Sequence, residues 1–151
     1  MYIEIIPKIK TLLEEVVLYE IDGTEYKPIV YPYALQENET PERYPAIMFF
    51  PVNSSSEFLT NEENEKVLNF TVVLIVNAEN ITNEKLFTKT MPNAIDKVIK
   101  KIDKGWDFDS IDNCRTWARA NDAVWDYSTS EKGRYGYANI NLIIKLKTNN
   151  L

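Results

Sequence analysis

The stretch Lys66 to Val76, KVLNFTVVLIV, limits what this chain can become more than any other. Leu68, Phe70, Val72, Leu74 and Val76 fill every even position after Lys66, and the odd positions turn apolar too by Val73 and Ile75. Successive side chains of a strand face opposite sides, so both sides of this segment call for burial. The expectation is an interior strand, covered on both faces, forming the spine of one sheet. At 151 residues the chain is the length of one domain, residues 1–151, which buries about 70% of the surface its unfolded form exposes.

Upstream, Ile6, Ile9, Leu13, Val16 and Val17 follow helical spacing between Tyr2 and Tyr19, with Lys8, Lys10, Glu14 and Glu15 on the other side. Pro7 suits only a first turn, so the regular helix is expected to begin near it, and Asp22 and Gly23 supply a stop and turn. Pro28, Pro32, Pro41 and Pro45 leave room for a short edge strand near Ile29 to Tyr33. Ala46 to Val52 reads as a strand, Asn53 to Ser56 as a turn, Glu57 to Thr60 as a possible return, and Asn61 to Glu65 as a second polar turn.

Downstream of the central strand, Met91, Ile95, Val98, Ile99 and Ile102 define a second amphipathic helix, with a preceding turn at Thr82 to Phe87 and Gly105 as its cap. Arg115 to Tyr127 and Tyr135 to Lys147 read as a hairpin. The first strand slips its alternation at Asn121 and Asp122, as a bulge would cause, and the second places Ala138, Ile140, Leu142, Ile144 and Leu146 on one side.

The chain contains no histidine, no Walker loop, no GxGxxG and no pair of cysteines, which removes triads and the common phosphate sites. No residue is assigned to catalysis, to a cofactor or to a metal. Asp107, Asp109 and Asp112 crowd together, yet a calcium loop would need an oxygen ligand where Ile111 stands and a glycine after it. A solvated loop with capping aspartates is the competing reading. Glu62, Glu63 and Glu65 admit either an acid/base pair or a water-facing turn, and Cys114 beside Arg115 either an activated or an inert thiol.

The net charge of −6 disfavours sequence-independent nucleic-acid binding and anionic membranes. The longest apolar run, Val72 to Val76, falls far short of the roughly 20 residues that span a bilayer. MYIEIIPKIK has no continuous apolar core and is not read as a signal peptide, so folding in a cytoplasm is expected, and the single Cys114 forms no internal disulfide. Between Gln36 and Glu65 there are seven acids against Arg43, and between Lys85 and Lys104 six lysines against Asp96 and Asp103. These are either two solvated surfaces or the two halves of a head-to-tail contact between subunits.

The order of elements, with YPAIMFFP, LNFTVVLIV, AIDKVIKKI and VWDYSTSEKGRYGYANINLIIKL in sequence, resembles the tail terminator, or tail completion, proteins of long-tailed bacteriophages over nearly the whole chain. The resemblance lies in layout and hydrophobic pattern. It implies an α+β fold, a single mostly antiparallel (mixed) β-sheet with two amphipathic helices packed on one face and a C-terminal β-hairpin. It also implies a structural, non-enzymatic role as a homo-oligomeric ring, a hexamer, that caps the tail tube and docks to the head-neck connector. The place implied is the head-proximal end of the virion's tail, with DNA only as passing cargo; another head-tail joining protein, or a small metal-dependent hydrolase, is the alternative. On this reading Glu57, Glu62, Glu63 and Glu65 form acidic loops at a lumen or interface, and Lys97, Lys100, Lys101, Arg115, Trp117 and Arg119 belong to the contact between subunits.

Overall fold

The computed structural model describes residues 2–58, 63–104, 114–130 and 133–149. Its elements run α1 (Tyr2–Glu14), β1 (Tyr19–Ile21), β2 (Thr24–Tyr26), β3 (Ile29–Tyr31), β4 (Ala46–Phe58) and β5 (Glu63–Asn77). A helical unit follows, made of α2 (Asn83–Lys85), a π-helical turn (Leu86–Thr90) and α3 (Met91–Lys104), and β6 (Cys114–Ser130) and β7 (Gly133–Asn149) close the chain. The fold is α+β. Its main sheet has the order β3-β4-β5-β7-β6, antiparallel throughout except that β3 lies parallel to β4.

The central segment takes the interior place its composition requires, with β4 on one side and β7 on the other. Leu68, Phe70, Val72, Leu74 and Val76 are buried, together with Ala138, Ile140, Leu142 and Ile144 of β7 and Ile47 and Phe49 of β4. They meet Ile5, Ile9 and Leu13 of α1 and Met91, Ala94, Ile95, Val98 and Ile102 of α3 in one core. Burial on both faces does not follow. Asn69, Thr71 and Val73 are only half-buried, and of the odd positions Ile75 alone is fully covered, because both helices pack on the same face.

Helix α1 begins at Tyr2, ahead of Pro7, and its buried stripe is Ile5, Ile9 and Leu13, with Ile6 partly exposed. Proline thus sits inside the helix, where the missing N–H costs one backbone hydrogen bond. Asp22 (φ 50°) and Gly23 (φ 82°) do more than stop a helix: they form the two-residue turn of the small β1–β2 hairpin, where Ile21 faces Thr24. Two positive φ values in succession are what a type I′ turn demands.

The second helical unit starts at Thr82, whose side chain accepts a hydrogen bond from the Lys85 N–H. The turn before Pro92, which has no N–H to give, is the widened π type, and it carries Leu86 into the core while Phe87 stays 39% exposed. Lys101 Nζ reaches Glu15 Oε2 at 3.1 Å and ties α3 to the end of α1. Both side chains are well exposed, at 36% and 58%. Lys101→Ala is therefore expected to cost only about 0.2–1 kcal/mol, with the difference vanishing at high salt. Urea unfolding at two salt concentrations checks this.

Residues Asn53 to Ser56 do not turn the chain: β4 continues to Phe58 and pairs along its length with β5, with a register shift between Pro51 and Asn53. Serine and asparagine are poor strand formers, but β-propensity yields to an available partner strand. The C-terminal hairpin is as expected, including the register shift between Asn121 and Ala123 that leaves Asp122 as the extra residue. Its strands extend beyond the expected bounds at Tyr127 and Tyr135, to Ser130 and from Gly133.

Candidate functional site

The register of four strands gathers charge into one row. Glu57 of β4 pairs with Glu65 of β5, Glu65 with Lys147 of β7, and Lys147 with Arg115 of β6. Two neighbouring rows run Ser55, Val67, Lys145, Trp117 and Asn53, Asn69, Ile143, Arg119. These rows fall at the odd positions of β5 and β7, on the side of the sheet away from the helices, where Asn139, Asn141 and Lys145 are exposed. Within these three rows the acids stand on β4 and β5 and the bases on β7 and β6.

This relocates the expected acidic loops. Glu57, Glu63 and Glu65 are strand residues, because β4 and β5 stay paired past the point where polar composition suggested a turn. Glu62 lies outside the described residues. Arg115, Trp117 and Arg119 come together with this row, whereas Lys97 and Lys100 are exposed on α3 and Lys101 is engaged with Glu15. Asp107, Asp109 and Asp112 lie outside the described residues, among which no group of three potential metal ligands occurs. Cys114 opens β6, paired with Thr148.

A second feature was not legible in sequence. The segment after β3 lies near the head of the open sheet face and forms a recess of about 210 Å³ bounded by Leu35, Tyr44, Met48, Ile75, Tyr135 and Tyr137, with Glu37 and Glu39 also lining it. Tyr44 and Tyr135 approach with ring centroids 5.2 Å apart and Tyr135 and Tyr137 at 6.2 Å. Tyr31 Oη accepts a hydrogen bond from the Glu42 N–H at 3.0 Å, and Arg43 Nη1 donates to the Lys27 carbonyl at 2.9 Å, anchoring the segment. Its last peptide, Tyr44–Pro45, is cis. These rings come from distant parts of the chain, Tyr44 from the segment after β3 and Tyr135 and Tyr137 from β7.

Tyr44 also borders a second recess with Tyr19, Ile21, Tyr26, Asn77 and Ile81. Burial, then a hydrogen bond with Tyr135, holds the Tyr44 phenol well above its usual range, and burial likewise raises Tyr137. Burial with the neighbouring Tyr26 pushes Tyr19 up to about 12 from 10.0, and its ring stacks on Tyr26 at 5.2 Å. The folded state thus keeps a proton that the unfolded chain releases. This contribution is complete below pH 10 and is lost as pH rises from 10 toward 12. Thermal melts across that interval are expected to fall less steeply for Tyr19→Phe than for the parent.

No model of a protein family matches the sequence, and a search of curated proteins finds no match either. Among the described residues no helix is long and apolar enough to cross a membrane.

Proposed function

We propose that this chain is the subunit of a ring that caps a bacteriophage tail tube and docks to the head-neck connector, a tail terminator at the head-proximal end of the virion. The observation that carries the reading is the sheet itself. Helices cover one face, strands of 13 to 17 residues run well beyond the usual five or six, and opposite charges stand at its two lateral halves. A ring requires two different complementary surfaces on each subunit, and such a division of charge supplies them. The resemblance in layout supplies the tail, the connector and hexameric assembly in the host cytoplasm; DNA is then passing cargo and no residue needs to catalyse a reaction.

The test is mass measurement in solution with negative-stain imaging, before and after adding purified tails and, separately, emptied capsids. Rings of uniform size seated on tail ends are expected. A strict monomer at high concentration that forms no rings on tails overturns the proposal, and binding to emptied capsids alone makes the chain a different head-tail joining protein.

A further inference from the structure

The main sheet has two lateral edges. On one side β3 pairs with β4 only from Ala46 to Met48, and among the described residues no strand pairs with the outer side of β4 beyond that point. On the other side β6 is the last strand, with no described strand outside it. Exposed edges present rows of unpaired N–H and C=O groups that readily take up another strand. Among the described residues, Asn53–Phe58 and Cys114–Arg119 are thus two stretches available for pairing at opposite margins.

The charged row says what each edge is fit to meet. In the order Glu57, Glu65, Lys147, Arg115 the inner register neighbours are of opposite charge, and each outer member has a residue of like charge as its register neighbour. Like charges directly opposite one another in a sheet are unfavourable. Among the described residues, neither outer member has a register neighbour on its other side. A strand carrying a base beside Glu57, and one carrying an acid beside Arg115, would give each an opposite neighbour.

We infer that the outer edge of β4 over Asn53–Phe58 pairs with the outer edge of β6 over Cys114–Arg119 of a second copy, Glu57 facing Arg115, so that subunits join head to tail through a continuous sheet. This rests on the ring-subunit reading and specifies its contact. Three further features agree. The strands β4, β5, β7 and β6 alternate in direction, so a copy brought in by rotation presents its β6 antiparallel to β4 and continues the alternation. With Glu57 facing Arg115, Ser55 faces Trp117 and Asn53 faces Arg119, and the paired stretch ends before the irregularity of either strand, at Pro51/Asn53 and at Asn121/Ala123. Pro51, which has no N–H for a ladder, bounds the stretch on the β4 side.

The test uses Glu57→Arg, Arg115→Glu, the double variant, and an equimolar mixture of the two single variants, followed by sedimentation velocity, with circular dichroism to verify folding. Each single variant is expected to weaken assembly by at least about tenfold. The double variant and the mixture restore it, because every junction again joins opposite charges. Single variants that assemble as the parent does, or losses that neither the double variant nor the mixture recovers, overturn the edge pairing while leaving a ring of other geometry standing. A parent that never assembles removes the ring reading as well. Should a variant fail to fold, amide hydrogen exchange of the parent decides: new protection within 53–58 and 114–119 on assembly is expected, and its absence overturns the inference.

Discussion

Phe70→Ala is expected to remove about 3–5 kcal/mol of stability, a large share of the 5–15 kcal/mol typical of a folded domain. Phe70 is 1% exposed at the middle of β5, with the ring of Tyr2 from α1 at 6.0 Å and that of Phe49 from β4 at 6.2 Å. It therefore joins three elements at once, and neither the sheet nor the helix can close over the space its ring would leave. Chemical denaturation, compared at matched slope, measures the loss. A cost below about 1 kcal/mol would mean that the core collapses around the site, contrary to the tight packing described.

Gly136→Val is the second large effect. Gly136 lies on β7 beside the start of α3, and a Cβ added there would sit 2.8 Å from Met91 Sδ, 3.2 Å from Met91 Cγ and 3.4 Å from Leu86 Cδ1. Met91 and Leu86 are fully buried and have little freedom to withdraw. Overpacking of this kind costs about 1–3 kcal/mol, and valine adds two methyl groups beyond the Cβ that already collides. The mechanism has its own signature: Gly136→Val combined with Met91→Ala should lose less than the sum of the single losses, since one opens the space the other fills. Strict additivity in denaturation experiments would place the strain elsewhere.

The parts of this fold legible in sequence are those where one physical signal dominates. The alternation from Ala138 to Leu146 could only be a half-buried strand, and the recurrence of Met91, Ile95, Val98 and Ile102 only a helix with one apolar stripe. The misplaced pieces are those where tertiary pairing outweighs local preference. Serines 54 to 56 become strand because β5 offers a partner, and Pro7 is carried within α1 because Ile5, Ile9 and Leu13 all seat in the core. The strands of the β1–β2 hairpin, three residues each, carry no readable period, although Asp22-Gly23 is itself a strong hairpin signal.

The candidate site divides in the same way. Segregated charge was visible as a count, but the row from Glu57 to Arg115 exists only through the registers of three strand pairs, which composition does not reveal. The tyrosine recess needs Tyr44 beside Tyr135, a meeting across most of the chain.

The junction of β5 with β7 has a kinetic consequence. Strands β4 and β5 are sequence neighbours, as are β6 and β7, so each pair is a locally closed hairpin. The seam between the hairpins, from Asn77 with Tyr135 to Glu63 with Asn149, spans the whole helical unit and must close a long loop before any of its bonds form. Two preformed ribbons meeting along one late seam is the route this wiring favours. Stopped-flow refolding of double-mutant cycles should then find the coupling across the seam, as between Val73 and Asn139, absent from the folding transition state, and that within a hairpin, as between Val73 and Met48, already present in it.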